Sequence, residues 1–384
     1  MAWFFRMMLL AAGVLSSALA APLAWAFEDA VVLPRDRAPW ESPVRQPWRK
    51  HLLAPPSGRI RTPAEYEENE GLLIRWGALN SVLTEVAVAV SQHSARARLW
   101  IVVADSAQQG AALATLTQAG VDPARLSFIQ APSNSVWIRD YGPRFVGVDG
   151  RRAIIDHLYN RPRPLDDAIP EAVAASFGEP RYELPLVHGG GNFHLWATQW
   201  ARMTDLILAE NPGSSAGDIE AAFAAYQGLA LGITGAFPAS YDSTQHIDMW
   251  LLPVSDTQAI IGEYAASEGG GVPRAVTESV AAALAAQGIE VFRTPGWRQG
   301  GVHYTFTNAV ILDDLVLICR FNGHDARNAQ ARAVFEQAFP KRRVHAIDCS
   351  TLITYAGALH CIAMHVPAEK AVARVFRSDF ERGG

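Results

Sequence analysis

Between residue 61 and about residue 370 the chain alternates short β-branched runs with amphipathic helical stretches, and no low-complexity linker interrupts it. Segments 72–76, 99–104 and 126–130 read as strands, while 81–93 and the Ala/Gln-rich stretch ending near residue 119 read as helices. Further on, 216–229, 274–287 and 326–338 carry the helical period. Segments 249–254, 259–261, 289–293, 304–312, 315–321, 344–348 and 361–366 read as strands. The commonest local order is strand, strand, helix, strand. It predicts an α/β domain assembled from several similar small units. With 49% hydrophobic and only 18% charged residues among 384, the chain can fill such a core and is not a disordered polypeptide.

Two segments of different character precede this domain. Residues 1–6 end on a single positive charge, Arg6, and 7–25 carry no charge at all. Ala24-Trp25-Ala26 then gives a small-x-small cleavage pattern, with Ala18-Leu19-Ala20 as a second candidate. This is the anatomy of a signal peptide over 1–26, and it predicts a secreted or periplasmic protein with no membrane contact after cleavage. Residues 27–60 are rich in Pro and Arg and predict an extended lead-in that packs on the body, leaving 61–384 as one domain. Lys plus Arg is 33 against 38 for Asp plus Glu, a net charge of -5, which argues against a nucleic-acid partner. Cys319, Cys349 and Cys361 are too few for a disulfide scaffold, and their odd number leaves at least one free thiol in an oxidising compartment.

Four segments place polar residues at strand ends. Ser133-Asn134-Ser135-Val136-Trp137-Ile138-Arg139-Asp140-Tyr141-Gly142-Pro143 offers a carboxylate beside aromatic walls, suited to a cationic ligand. His246-Ile247-Asp248 opens an apolar run, where strand alternation would throw His246 and Asp248 onto one face. Asn308, read as lying mid-strand, is either a bulge or a side chain in use. Gly357-Ala358-Leu359-His360-Cys361 sets a thiol at a loop-to-strand junction and makes Cys361 the nucleophile candidate, while core or disulfide roles suit Cys319 and Cys349. Metal binding is the rival for His246 and Asp248, but two ligands make no site, and no HExxH or paired-Cys spacing completes one. A Cys, a His, an Asn and two Asp together suit a planar cation such as a guanidinium. Its weakly electrophilic carbon needs a soft thiolate, carboxylates on its nitrogens and an acid for departing ammonia.

These residues resemble a known family. The segments Trp137 to Pro143, Tyr159-Asn160-Arg161-Pro162-Arg163-Pro164, His188-Gly189-Gly190-Gly191-Asn192, Thr244 to Met249, Thr307-Asn308 and Leu359 to Ile362 are similar to motifs of the bacterial (Porphyromonas-type) peptidylarginine deiminases. That family includes the agmatine deiminases within the guanidino-group-modifying superfamily. The resemblance implies a pseudo-symmetric five-bladed α/β propeller of ββαβ-like units, with an active site at its centre that needs neither metal nor cofactor. It implies Cys361 as nucleophile, His246 as acid and then base, Asp140 and Asp248 as guanidinium holders, and Asn308 as a positioning group. Trp137, Arg139, Arg161, Arg163 and Asn192 would bind substrate, with Arg161 or Arg163 on a carboxylate.

One departure stands out: the acid that relatives carry beside the Gly-Gly-Asn motif is missing between Gly189 and Ala197. The expected activity is hydrolysis of a guanidino group to a ureido group plus ammonia through a covalent Cys thiouronium. A carboxyl-terminal arginine of a peptide is the expected substrate, with Arg161 and Arg163 otherwise serving Asp166 and Asp167 as a loop brace. An agmatine-type hydrolase and a noncatalytic guanidino-binding relative are the alternatives.

Overall fold

Strand formation follows the apolar runs of the sequence. Residues 32–41 and 54–374 are described by the structure, a computed structural model; the expected signal peptide and most of the lead-in lie outside the described residues. Leu72, Leu73 and Ile74 of the Asn69–Arg75 strand and Ile101, Val102 and Val103 of Arg98–Val103 are fully buried. A strand covered on both faces requires this unbroken run of apolar side chains. The Asn80–His93 helix turns Val82, Leu83, Val86, Ala87 and Val90 inward, the spacing of one helical face. At Ala216–Gln227, Ser215 and Asp218 close a capping box, and the helix stops at Gly228, whose φ of 67° favours a residue without Cβ.

The described residues form five sheets, and all five repeat one unit: an antiparallel pair, a helix, and a third strand parallel to the second. In one sheet Leu251–Ser255 pairs antiparallel with Gln258–Tyr264, the Gly271–Ala286 helix crosses over, and Glu290–Gln299 lies parallel to Gln258–Tyr264. The pairs Arg144–Val148 with Arg151–Tyr159, His194–Trp196 with Trp200–Thr204, and Val310–Ile311 with Leu315–Arg320 open three further sheets. The last sheet joins the two ends of the domain: Ala363–Pro367 runs antiparallel to Asn69–Arg75, with Ala363 opposite Ile74.

Two segments expected as strands are organised differently. Residues 304–312 do not form one strand; Val302–Thr305 ends before Phe306, and pairing resumes at Val310–Ile311, so Asn308 lies in the break. His246 and Asp248 do not alternate along a strand either. Ile247–Met249 is a 3-10 turn, and the strand starts at Leu251. The Arg151–Tyr159 strand escaped the periodicity reading because Asp156 and His157 are buried within it.

Cys319, on the Leu315–Arg320 strand, and Cys349, just past the parallel Arg343–Asp348 strand, form a disulfide, a pairing the sequence left open. Cys361 is the free and buried thiol. No helix among the described residues is long and apolar enough to cross a membrane. The disulfide closes a separation of 30 residues, which constrains the unfolded chain by about 3.6 kcal/mol. The Cys319→Ser, Cys349→Ser double variant is expected to lose roughly that amount in urea unfolding. Unchanged stability, with both thiols open to alkylation in the wild type, would contradict the bond.

Candidate active site

The first strand of each sheet's antiparallel pair is preceded by a short turn, and the five turns meet. They carry Asp140, Gly190 and Gly191, Asp248, Asn308, and Cys361. Hydrogen bonds run from turn to turn and close a ring. Gly190 N donates to Asp140 O at 2.9 Å, Asp248 N to Gly191 O at 3.2 Å, and Thr307 Oγ1 to Asp248 O at 3.3 Å. His360 N donates to Asn308 O at 3.2 Å, and Arg139 Nε returns to His360 O at 3.3 Å. Backbone groups that lack ladder partners at strand ends are thereby satisfied by the next turn. The repeat thus delivers five side-chain positions to one point.

A guanidinium lies at that point, and it comes from the lead-in. Arg35 is fully buried: Nε and Nη2 donate to Asp140 Oδ2 at 2.8 Å and Oδ1 at 3.0 Å. Nη1 and Nη2 donate to Asp248 Oδ1 at 3.1 Å and Oδ2 at 2.8 Å. Nη2 also lies 2.7 Å from His246 Nδ1. Gly191 lies so close that a Cβ there would overlap the Arg35 guanidinium and stand 2.7 Å from both Asp140 Oδ1 and Asp248 Oδ2. Glycine is therefore required by the approach itself.

Burial alone would raise the pKa of both carboxyls, but the Arg35 charge reverses this and holds Asp140 and Asp248 below the ordinary carboxylate range. Cys361 responds in the opposite sense. Burial pushes its thiol well up, Arg35 pulls it back, and Asp248 and Asp140 add to the rise. Its Sγ lies 3.2 Å from Asn308 Oδ1 and 3.9 Å from Asp248 Oδ2, and Ala358 N donates to it at 3.3 Å. Asn308 Oδ1 also accepts from Cys361 N at 3.3 Å, so one amide fixes both the backbone and the sulfur.

The structure therefore brings Cys361, His246, Asp248, Asp140 and Asn308 together. It assigns the other expected binding residues unequally. Trp137 Nε1 donates to Leu33 O at 2.8 Å, Arg161 Nε to Arg35 O at 3.2 Å, and Arg163 Nη2 to Pro34 O at 2.9 Å and Asp36 O at 3.0 Å. Both arginines thus hold the lead-in. Asp166 accepts from Ser135 and Asn134 and also feels the Arg163 charge, and Asp167 accepts from Tyr159 N.

Arg139 and Asn192 are turned away from the guanidinium, contrary to expectation. Arg139 pairs with Glu65 at 2.5 Å and with His365 at 2.9 Å, which fits its place in the ring. Asn192 Oδ1 accepts from Thr204 N at 3.0 Å and Oγ1 at 2.9 Å, tying its turn to the neighbouring strand. Sequence reasoning missed Arg35, whose Leu-Pro-Arg-Asp-Arg surroundings carry no periodicity, and Glu65. His360 bridges Asp248 Oδ2 at 3.0 Å to Glu65 Oε2 at 2.8 Å. Glu65 is thus an acid behind His360, one contact removed from the guanidinium clamp. Burial opposes its ionisation, but Arg139, His360 and His365 outweigh that and keep Glu65 charged.

A family model described as Porphyromonas-type peptidyl-arginine deiminase matches residues 61–367. A Streptomyces coelicolor protein provisionally named an agmatine deiminase is 24% identical over 350 residues, spanning 80% of this chain and 99% of its own. An agmatine deiminase structure from Enterococcus faecalis aligns with TM-score 0.69 and 19% identity, covering 81% of this chain and 96% of that one. A provisionally named arginine deiminase of Porphyromonas gingivalis aligns with TM-score 0.70 and 22% identity, covering 81% and 99%. At these identities the structural likeness speaks for the fold alone.

Lowered folded pKa values mean that the clamp's stabilisation is full above the ordinary Asp value of about 3.9 and is lost as pH falls through the folded values. Carboxyl carbon resonances of Asp140 and Asp248 are expected to titrate below that value in the wild type. In Arg35→Ala two facing carboxylates should push one of them above it. Ordinary titration of both in the wild type would contradict the clamp.

Proposed function

The chain belongs to the Porphyromonas-type peptidyl-arginine deiminase family and is a hydrolase of amidine carbon–nitrogen bonds, and from that premise we propose that it deiminates arginine held in a peptide. One observation carries the reading: an arginine of a polypeptide fits the site, its guanidinium on Asp140 and Asp248 and its carbonyl oxygen on Arg161. We infer a five-bladed propeller from the five repeated sheets, with their convergent turns at its centre.

In the proposed reaction Asp140 and Asp248 hold the substrate nitrogens, and Cys361 attacks the guanidinium carbon to give a thiouronium. His246 protonates the departing ammonia, then takes a proton from the water that releases the ureido product. Asn308 orients the sulfur. The expectation of a carboxyl-terminal arginine widens here, because Arg163 also accommodates the carbonyl of Asp36, the residue that follows Arg35. Export is supported by the Cys319–Cys349 disulfide, since such bonds persist in oxidising compartments.

The names of curated relatives favour a second reading, agmatine. Its far end is an ammonium, however, and Arg161 and Arg163 would repel that charge where a peptide offers carbonyl oxygens. Ammonia release is the test, measured with the Arg35→Ala variant to leave the site unobstructed. An arginyl peptide is expected to exceed agmatine in kcat/KM, and the additional change Cys361→Ser should abolish turnover. Adding Asp140→Asn or Asp248→Asn should cost about 2–5 kcal/mol, roughly a 30- to 5,000-fold loss. Agmatine turned over as well as the peptide would favour the agmatine reading. Near-normal turnover in either Asn variant would remove that carboxylate from the site.

A further inference from the structure

Arg35 does more than neutralise two acids. Its segment is held as a peptide ligand would be, by backbone contacts on both sides of the arginine. Trp137 Nε1 reaches Leu33 O, Arg163 reaches Pro34 O and Asp36 O, and Arg161 reaches Arg35 O. Arg35 N donates to Tyr355 O at 2.9 Å. Beyond the arginine, Glu41 receives Arg163 Nε at 2.8 Å and Nη2 at 2.9 Å. A bidentate pair of this kind fixes the segment's path as well as its charge.

The guanidinium itself is posed for chemistry. All three nitrogens are bonded to carboxylates, which fixes the plane of the group. Nη2 alone faces His246 Nδ1, at 2.7 Å, and is thereby singled out as the departing nitrogen. On the thiol side, Cys361 Sγ lies 3.9 Å from Asp248 Oδ2, and that same oxygen accepts Nη2 at 2.8 Å. The nucleophile and the leaving nitrogen thus share one carboxylate. Tethering raises the effective concentration of such a group far above that of a free peptide.

Resting on the function proposed above, we propose that Arg35 is a modification site of the chain's own active site: Cys361 deiminates it intramolecularly. The Cys361 sulfur forms a bond to Arg35 Cζ, and the thiol proton passes through His246 to Nη2. The Cζ–Nη2 bond breaks and ammonia leaves, giving a thiouronium. Water then adds to that carbon, the carbon–sulfur bond breaks, and the thiol is restored. The released proton is taken up by ammonia. The net change is arginine plus water to citrulline plus ammonium, with no oxidation or reduction.

The product would not keep its seat. Citrulline is neutral, so its formation leaves Asp140 and Asp248 buried and facing each other without a cation. An uncompensated buried charge pair is strongly unfavourable. The segment is displaced, and the next guanidinium enters. Until then the site is closed by its first substrate.

Peptide-mapping mass spectrometry of the full-length chain tests this directly. Arg35 should be citrulline in the wild type and arginine in Cys361→Ser, with Arg37, exposed on the same segment, remaining arginine in both. Conversion should follow first-order kinetics at a rate independent of protein concentration. A rate that rises with concentration would overturn the intramolecular step. Arginine persisting at position 35 of the wild type, while Arg35→Ala releases ammonia from arginyl peptides, would overturn the proposal and leave the proposed function standing. Persistent Arg35 together with an inert Arg35→Ala variant would sink both.

Discussion

Two buried carboxylates cannot lie side by side without a cation between them. Asp140 and Asp248 are 1% and 0% exposed, on turns that the hydrogen-bond ring fixes against each other. Neither can relieve repulsion by turning to solvent, so the fold carries a permanent demand for a flat cation with donors on at least two edges. The three donors of a lysine ammonium diverge from a single nitrogen and cannot pair bidentately; a guanidinium matches both carboxylates in its own plane. Specificity for the guanidino group is thus a consequence of desolvation and geometry before any catalytic step is considered.

The repeat explains how such a pair is assembled from distant sequence. Each antiparallel pair is entered by a tight turn, and the five turns close on one another through at least one hydrogen bond apiece. Rigid strand starts such as Leu251 and Ala363 follow within three residues of Asp248 and Cys361, so little freedom remains in the site. Arg139 shows the same economy. Fully buried, it closes the ring and balances Glu65, which in turn holds His360 against Asp248. Electrostatic balance at the centre therefore extends outward through His360 to Glu65, near the amino-terminal end of the domain.

Much of this is legible in the sequence wherever local pattern and packing coincide. The helix at Asn80–His93 is readable because local period and burial agree there, and the strand at Leu126–Gln130 is readable from its apolar residues although only Ile129 is buried. Cys361, His246, Asp248, Asp140 and Asn308 were readable as polar residues where apolar runs begin. The mechanism of their convergence was not, because 3-10 turns leave no periodic signature. His246 and Asp248 meet through such a turn and not by strand alternation. Arg139 and Asn192 sit beside active groups in sequence yet point elsewhere, a distinction only packing can make. Arg35 was invisible for the opposite reason: its role depends on contacts more than a hundred residues away and on no local pattern.

At the centre of the account is transfer of a guanidinium carbon to Cys361. Acid-quenched intact-mass spectrometry of the Arg35→Ala variant, mixed with an arginyl peptide, tests that transfer most directly. A transient adduct equal to the peptide less one ammonia is expected, mapped to Cys361 and absent from the Cys361→Ser counterpart. Ammonia release with no adduct at any time, or an adduct on a different residue, would contradict it.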